Sequence, residues 1–225
     1  MSNILVFSDT HLYLPFDQKK FNFLKKIISE SDRVIINGDF FDGYMIKFSK
    51  FIDSPWNQLF PLLKNKKTVY IFGNHDKKEF SDKRLSLFSD SQVSNYQLPT
   101  THYNLIFTHG DDTRPTPDTV LNFGWKTIHY GTIVLHFIRN ILMKMFRKFA
   151  LKIMYGNYNY NSKKYIAKNY QLKQNEFLII GHNHDSEVDE KNNFACCGAI
   201  LYGFAQYLTV DSETAKITLH EEWYE

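Results

Sequence analysis

Cysteine is almost absent from this chain of 225 residues, and the two that occur, Cys196 and Cys197, are adjacent. Adjacent cysteines cannot easily form a disulfide with each other, because their side chains do not meet the geometry of the bond. The sequence therefore argues against a disulfide framework and against a structural zinc site built on thiolates. With no signal segment before the first apolar run at Ile4, we expect a reducing, cytoplasmic location.

Long uninterrupted apolar runs are also missing. Within residues 132–155 the longest is Thr132 to Leu135, extended past His136 by Phe137 and Ile138, which is far short of the roughly 20 residues that cross a bilayer. No internal repeat or low-complexity linker divides the chain, and a hydrophobic content of 43% is enough for a substantial core. We therefore predict a single domain, 1–225, without a transmembrane helix.

Acidic residues are absent between Thr119 and Asn175, although the net charge of the whole chain is only +3. The basic residues of this segment are Lys126, Arg139, Lys144, Arg147, Lys148, Lys152, Lys163, Lys164, Lys168 and Lys173. The rest of the chain contains the other 17 of the 27 basic residues and all 24 acidic residues, so it is acidic overall. A segment of such uniform charge is expected to meet an anionic partner.

Short apolar runs rich in β-branched and aromatic residues predict the core strands. These runs are Ile4–Phe7, Val34–Ile36, Thr68–Phe72, Leu105–Phe107 and Phe177–Ile180. Segments with apolar residues at helical spacing lie between the first three runs. These residues are Phe21, Leu24, Ile27 and Ile28, and then Trp56, Leu59, Phe60 and Leu63. Alternating strands and helices predict parallel pairing, and such sheets bind ligands beyond the carboxyl ends of their strands.

Metal-binding side chains follow each of these strands in short clusters. They are Asp9 and His11, Asp39, Asn74 with His75, His109, and His182 with His184. Strands can bring all of them to one rim of a sheet, and carboxylate, imidazole and amide ligands together suit ions such as Mn²⁺, Fe²⁺ or Zn²⁺. Asp39 is placed centrally enough to bridge two cations, and two metals can activate water for in-line displacement at phosphorus. The predicted reaction is phosphoester hydrolysis.

These clusters, taken as blocks in this order, resemble the calcineurin-like metallophosphoesterases. The blocks are Asp9-Thr10-His11, Gly38-Asp39-Phe40-Phe41-Asp42, Gly73-Asn74-His75-Asp76, His109-Gly110-Asp111 and Gly181-His182-Asn183-His184. The resemblance runs from Ile4 to about His184. It implies an α/β fold, a four-layer αββα sandwich of two mixed β-sheets flanked by helices.

The same resemblance implies ligands for two divalent metal ions, with manganese expected and iron, zinc or nickel as alternatives. One ion is held by Asp9, His11, Asp39 and His184, and the other by Asp39, Asn74, His109 and His182. His75 is not a ligand in this pattern but lies beside the phosphate, where it protonates the leaving oxygen or stabilises its charge.

Several nearby residues have two interpretations. By the resemblance, Asp42 and Asp76 fix the orientation of histidines, although an Asp after a strand is also a common cap or turn residue. The unclustered His102, His129, His136 and His220 are expected to be ordinary surface or core residues.

The segment without acidic residues lies between His109 and His182 and predicts a helical basic and apolar insertion, about 115–175, that begins and ends at the metal site. Within 132–155, apolar residues recur at helical spacing with basic residues largely on the other face. The apolar row is Val134, Phe137, Ile138, Ile141, Leu142, Met145, Phe149 and Ile153. This stretch is expected either to lie in a membrane interface or to pack on the catalytic core.

The position of the insertion resembles that of the UDP-2,3-diacylglucosamine hydrolases of lipid A synthesis, in which it holds acyl chains. By this resemblance Asn161, Lys163 and Lys164 lie where polar residues contact nucleotide and phosphates. Arg114 is expected to neutralise phosphate charge and Asn74 to contact substrate. His75 stands where the best-known members of that group have arginine, so the exact substrate stays open.

We therefore expect a binuclear metal enzyme that hydrolyses a phosphodiester or pyrophosphate bond in an amphiphilic or nucleotide-linked substrate such as UDP-2,3-diacylglucosamine. It would act at the inner face of the membrane if residues 132–155 contact lipid. The alternative is a soluble nuclease or cyclic-nucleotide phosphodiesterase, in which basic residues grip phosphates and tyrosines stack on bases. A non-enzymatic scaffold is disfavoured because no ligand position is missing, and no obligate protein partner is predicted.

Overall fold

Two mixed β-sheets form the centre of the protein in a computed structural model that describes residues 3–114 and 125–224. The strands are β1 (Asn3–Phe7), β2 (Arg33–Asn37), β3 (Val69–Ile71), β4 (Ser91–Val93), β5 (Asn95–Pro99), β6 (Asn104–Thr108), β7 (Glu176–Ile180), β8 (Glu187–Asp189), β9 (Phe194–Cys196), β10 (Ile200–Leu201), β11 (Phe204–Asp211) and β12 (Ile217–Trp223). The helices are α1 (Gln18–Ser29), α2 (Phe48–Ile52), α3 (Phe60–Asn65), α4 (Trp125–Phe146), α5 (Lys148–Tyr155) and α6 (Tyr158–Asn169). Short 3₁₀ turns lie at Pro55–Leu59, Lys78–Phe80, Lys83–Leu87 and Glu190–Asn192.

The first sheet has the order β10-β11-β1-β2-β3-β4, and β12 also pairs with β11. Strands β1 to β4 are parallel, whereas β11 is antiparallel to β1, β10 and β12. The second sheet has the order β5-β6-β7-β9-β8, with β6, β7 and β9 parallel. Parallel neighbours end at the same edge of a sheet, which is where the loops of the predicted site begin.

The alternation of side chains along β1 shows how the layers pack. Ile4 and Val6 lie in the core between the two sheets, together with Phe107 and Ile179 of the second sheet. Leu5 and Phe7 point the other way, into the core shared with α1 and α3. On the far face of the second sheet, Ile166 of α6 packs against Leu178 and Ile180. The helix–sheet–sheet–helix order confirms the predicted four-layer αββα sandwich.

All five predicted strands are present, with ends within a residue of those expected. One expectation was wrong, because the ligand clusters do not lie on the rim of a single sheet. The loops with Asp9, Asp39 and Asn74 follow β1, β2 and β3 of the first sheet, whereas those with His109 and His182 follow β6 and β7 of the second. Apolar runs identify strands without saying which sheet each strand joins, so the sequence pattern missed this division.

The insertion between β6 and β7 is helical, as predicted, and consists of α4, α5 and α6 in its described part. The stretch 132–155 is two helices rather than one, because Arg147 has a φ of 47° and breaks the path between α4 and α5. The first residues of the predicted insertion, 115–124, lie outside the described part of the chain. Among the helices of 3–114 and 125–224, none combines the length and apolarity that a bilayer crossing requires.

Candidate metal centre

The loops that carry the predicted ligands have an unusual backbone. Asp9, His11, Asp39, His182 and His184 all have positive φ, at 52°, 41°, 54°, 59° and 58°. Such values are uncommon for residues other than glycine and carry an energetic cost. Their concentration on these loops is typical of a functional site, in which the surrounding structure holds side chains at fixed positions.

Two glycines permit the close approach of these loops. A Cβ at Gly38, whose φ is +90°, would lie 2.2 Å from Nδ1 of His109, and a Cβ at Gly73 would lie 2.2 Å from Oδ1 of Asp39. Neither distance is compatible with a side chain. The glycines of the Gly-Asp and Gly-Asn-His blocks are thus required by the packing of the ligands themselves.

The first group of predicted ligands converges on Asp9. Oδ1 of Asp9 lies 3.1 Å from Nε2 of His184 and 3.8 Å from Nε2 of His11. Nε2 of His11 lies 3.7 Å from Oδ2 of Asp39. Asp9, His11 and His184 are placed to share one cation, with Asp39 beside them.

The second group converges on Asn74. Its Oδ1 lies 3.1 Å from Nε2 of His109 and 3.0 Å from Nδ1 of His182. Nε2 of His109 also lies 3.3 Å from Oδ2 of Asp39. Asp39 therefore contacts both groups, which is the position that a bridging carboxylate needs.

The hydrogen bonds of the histidines show that this arrangement fits cations. Backbone carbonyls only accept, so His109 donates from Nδ1 to Asn37 O at 3.0 Å, and His182 donates from Nε2 to Arg114 O at 2.9 Å. Burial lowers the pKa of His109 but the nearby carboxylates, Asp39 above all, raise it by more, so Nε2 of His109 is protonated and donates to Oδ1 of Asn74. Burial lowers the pKa of His182, so that ring is neutral and its Nδ1 is an acceptor that faces Oδ1 of Asn74, itself an acceptor. Acceptors held this close repel unless a positive charge lies between them. Divalent metal ions satisfy such a set, since histidine ligands commonly donate their second N–H into the protein.

Buried atoms of the first group support the same conclusion. Within the described residues, Oδ1 of Asp9 and Nε2 of His11 are buried and have no hydrogen-bond partner. Nδ1 of His11 lies 3.2 Å from Oδ2 of Asp42, to which it donates. These two atoms, Oδ1 of Asp9 and Nε2 of His11, face each other across the first group, where a cation would satisfy both.

The electrostatics of the cluster favour positive charge. Burial raises the pKa of Asp39, but His109 and His75 lower it by more, so the carboxyl is ionised well below its usual range. Burial lowers the pKa of His11, yet its hydrogen bond to Asp42 and the neighbouring carboxylates raise it to about 10. Burial lowers the pKa of His182 to about 3 and that of His184 to about 4. Protons and metal ions compete for the same nitrogens, so metal affinity at this site depends on pH.

Asp42 joins three histidines. Its Oδ2 lies 3.2 Å from Nδ1 of His11, 3.1 Å from Nδ1 of His75 and 3.7 Å from Nε2 of His136. The backbone N–H of His75 also donates to Oδ1 of Asp39 at 2.7 Å, which holds His75 next to the ligands. The structure therefore gives Asp42 the expected contacts to histidines, and it places His75 close enough to His11 and Asp39 that these three side chains could also share a cation.

His136 was expected to be an ordinary surface or core residue, and the structure corrects this. It lies on α4, is 9% exposed, and reaches both Asp42 and the hydroxyl of Tyr202, which is 2.7 Å from its Nδ1. His136 is far from every ligand cluster in the sequence, so the sequence did not indicate this role. The available signal was the helical spacing of His136, Arg139 and Asn140, which places three polar residues on one face of the helix.

Asp76 differs from its expected role of orienting a histidine. Its carboxylate accepts hydrogen bonds from the backbone N–H groups of Phe40 and Gly73, both at 2.7 Å, and from the hydroxyl of Tyr70. Burial and the nearby Asp39 raise its pKa to about 6. Asp76 ties the loop after β2 to the loop after β3, and so it acts on the site through the backbone.

Two arginines line a cavity of about 550 Å³ that opens beside Asp39, Asn74, His75 and His182. The guanidinium of Arg114 lies 3.9 Å above the ring of Tyr158, and that of Arg139 lies 5.4 Å from the ring of Tyr155. Arg114 was predicted for this position, whereas Arg139 was not singled out as a site residue. The lining also includes the apolar Ile128 and Leu135 of α4.

A second groove, of about 850 Å³, lies beyond His11 and His136. Its lining includes Tyr13 and Trp56 on one side and the basic Lys144 and Arg147 on the other. His11 and His136 line both spaces.

Three predicted substrate-binding residues are not brought to the site. Nζ of Lys163 lies 2.7 Å from carboxylate oxygens of both Glu187 and Asp189, because β8 presents these groups to α6. Asn161 and Lys164 are exposed on α6 and line neither space. These residues were predicted from their position near the end of the insertion, and that position does not show that this face of α6 points away from the metal centre.

Comparison with solved structures gives likenesses at low identity. YfcE, a phosphoesterase from E. coli, is 14% identical, with 99% of this chain and 100% of that chain covered at a TM-score of 0.48. Vps29 from Entamoeba histolytica, solved with zinc, is 11% identical, with 99% of each chain covered at a TM-score of 0.45. The nuclease MPE of Pseudomonas putida is 23% identical over 47% of this chain and 53% of that chain, at a TM-score of 0.34.

No curated protein matches this sequence. A family model, described as calcineurin-like phosphoesterase, matches residues 2–186. That span contains all the predicted ligands, from Asp9 to His184, which the fold brings into contact. The chain belongs to the calcineurin-like phosphoesterase family and is a metal-dependent phosphoester hydrolase.

Proposed function

We propose that this protein hydrolyses a phosphodiester or pyrophosphate bond at a pair of divalent cations, with manganese as the working metal. The observation that carries the proposal is the position of Asp39, whose carboxylate contacts the group around Asp9 and the group around Asn74. Two cations held in this way polarise the phosphoryl group and supply a nucleophile at neutral pH. The residues described below bind, orient and protonate the substrate around them.

His75 is the proposed proton donor to the leaving oxygen. Its side chain is 19% exposed, so it reaches the cavity, while Asp42 holds its Nδ1 at 3.1 Å. The Asp42 carboxylate next to Nδ1 stabilises the protonated ring, and we assign proton donation to the other nitrogen, Nε2. General acid catalysis needs such a group within hydrogen-bond reach of the departing oxygen.

Arg114 and Arg139 are the proposed binders of phosphate oxygens. Both line the cavity beside the ligands, and both lie over tyrosine rings. A guanidinium can hold two phosphate oxygens at once. The same cavity has an apolar wall with Ile128 and Leu135. Cationic and apolar walls around one reaction centre favour an amphiphilic substrate, of which UDP-2,3-diacylglucosamine is one example.

Hydrolysis of bis-p-nitrophenyl phosphate in the presence of Mn²⁺ tests the reaction class. Asp39→Asn and His109→Gln are each expected to lower kcat/KM by at least about a hundredfold, since each removes a metal contact. Asp82→Asn is the matched control, because Asp82 is an exposed carboxylate paired with Arg84 away from the cluster. Undiminished turnover in both site variants, with circular dichroism showing a native fold, would reject the proposal.

A nuclease is the second candidate, supported by the surface of α6. Tyr160 is 65% exposed and Tyr165 is 38% exposed, and Lys164 and Lys168 are exposed on the same helix. Exposed aromatic rings among cations are typical of surfaces that bind single-stranded nucleic acid. Cleavage of a single-stranded oligonucleotide, with no turnover of UDP-linked amphiphiles, would favour this candidate over the first.

A further inference from the structure

Helix α4 has the reverse orientation of an ordinary surface helix. Its polar His136 is buried at the metal centre, and Arg139 lines the adjacent cavity. A surface helix normally turns its apolar stripe to the core and its polar face to water. Here the metal centre lies beneath the helix, and its carboxylates and ligand groups attract the polar side of α4.

The opposite side of α4 is apolar and faces outward. We call it the outer apolar face, and it consists of Tyr130, Val134, Phe137, Ile138, Ile141 and Met145. These residues recur every three or four positions, so they form one stripe along the helix. Phe137 is 65% exposed and Met145 is 67% exposed. On α5, Phe149 and Ile153 are exposed as well.

An exposed apolar stripe of this extent marks an interaction surface, because monomeric proteins rarely leave such patches in water. The outer apolar face spans four turns of a 22-residue helix. Scattered single hydrophobic residues need no explanation, but a continuous row on one helix does. Some partner is therefore expected to cover this face.

The charge around the outer apolar face identifies the partner. No Asp or Glu occurs between Thr119 and Asn175, and Lys144 and Lys152 are exposed on α4 and α5. Docking of a second copy through this face would bring two uniformly basic segments together, which like charges oppose. A bilayer that contains anionic lipid offers both an apolar interior and the opposite charge.

We propose that the outer apolar face docks this protein on anionic lipid bilayers, with α4 lying in the plane of the interface. Burial of the apolar stripe among acyl chains and attraction of the lysines to headgroups are the two sources of affinity that such helices use. Leu135, next to the stripe, also lines the cavity at the metal centre. Docking would therefore place that cavity close to the lipid surface. The proposal goes beyond the proposed function and does not depend on it.

Vesicle flotation of the full chain tests the proposal. We expect binding to phosphatidylcholine vesicles that contain phosphatidylglycerol, and much weaker binding to phosphatidylcholine alone or at high salt. The double variant Phe137→Ser with Met145→Ser is expected to lower the partition coefficient at least about tenfold, because it removes two large side chains from the stripe. Lys152→Gln is expected to lower it about fivefold on anionic vesicles only.

Leu87→Ser is the matched control, since Leu87 is 50% exposed on a 3₁₀ turn outside the outer apolar face. It should bind vesicles as the unaltered chain does. Absence of binding to anionic vesicles, or equal binding by the double variant, overturns the proposal. The proposal is also overturned if the unaltered chain forms a dimer and binds no lipid, and the double variant is a monomer. The outer apolar face would then bind a second copy of the chain.

Hydrolysis of soluble bis-p-nitrophenyl phosphate separates this proposal from the proposed function. The double variant should retain that activity, because Phe137 and Met145 line neither space at the metal centre. Retained activity also shows that the variant is folded. Vesicle binding by a chain that hydrolyses no phosphoester would leave docking supported while rejecting the catalytic proposal.

Discussion

Two buried carboxylates, Asp39 and Asp42, organise the histidines of the metal centre in different ways. Asp39 contacts His11 and His109 across the two ligand groups, whereas Asp42 holds the far nitrogen of His11 and one nitrogen of His75. A carboxylate that binds one nitrogen of a histidine fixes the orientation and the tautomer of the ring, so it affects how the other nitrogen binds a metal. Replacement of Asp39 should therefore remove metal, and replacement of groups around Asp42 should alter rate.

His136 provides the test of this distinction. His136→Gln is expected to lower kcat on bis-p-nitrophenyl phosphate about tenfold with bound metal retained, because His136 contacts Asp42 and meets the ligand His11 only through a ring contact, at 5.9 Å between centroids. His220→Gln is the control, since His220 pairs with Thr209 and stacks on Tyr207, away from the centre. Loss of metal in the His136 variant, or an unchanged kcat, would contradict a positioning role.

Asp76 is expected to contribute to stability through the backbone groups that it binds. Asp76→Ala leaves the backbone N–H groups of Phe40 and Gly73 and the hydroxyl of Tyr70 without their acceptor. Buried donors without partners cost about 1–3 kcal/mol each, so we expect a loss of about 3 kcal/mol or more in the free energy of unfolding, measured with urea. Asp82→Ala, which removes an exposed carboxylate, should change it by less than about 1 kcal/mol.

At the scale of elements, the loop after β3 must pass against the loop after β2. Gly73→Ala would place a methyl group 2.2 Å from Oδ1 of Asp39, so we expect loss of bound metal even where the chain still folds. Gly131→Ala on α4 is the matched control, because nothing lies within 4 Å of the added carbon. Alanine there should stabilise the helix by up to about 1 kcal/mol. Unchanged metal content in the Gly73 variant would show that the loops are less tightly packed than the structure indicates.

The elements also show what the sequence could and could not predict. The strands were predictable because each is a short apolar run that ends at a polar loop, as with Phe177–Ile180 before Gly181. The helical character of 132–155 was predictable from periodicity. Its orientation was not, because periodicity defines two faces of a helix without saying which one turns inward. The buried charges beneath α4 decide that, and they come from residues distant in sequence, such as Asp42.

Ligand residues were predictable for a related reason. Several of them follow strands, so residue type and position in the sequence both indicated a metal site. They are Asp9, Asp39, Asn74, His109 and His182. Residues that reach the site from the insertion, such as His136 and Arg139, have no such marker. Lys163 shows the opposite error, since its charge suggested phosphate binding but Glu187 and Asp189 neutralise it locally.

At the scale of the whole molecule, the metal centre lies where loops from both sheets meet. Asp9 and Asp39 from the first sheet and His109 and His184 from the second would hold the cations, which would then cross-link the two sheets. Mn²⁺ at about a hundred times its dissociation constant is expected to stabilise the fold by about 2.7 kcal/mol, seen as a higher unfolding midpoint in calorimetry. Chelation should reverse the shift. A midpoint that is the same with Mn²⁺ and with chelator would contradict a cross-linking role.

The metal content of the purified chain decides whether the converging side chains form a binuclear centre. After loading with Mn²⁺ and removal of free metal, mass spectrometry of the elements should find about two ions for each chain and far less in Asp39→Asn, because Asp39 contacts both ligand groups. Asp82→Asn should keep the full content. A wild-type chain that retains no divalent metal, or an Asp39→Asn variant that retains as much as the wild type, would contradict the assignment of these residues as metal ligands.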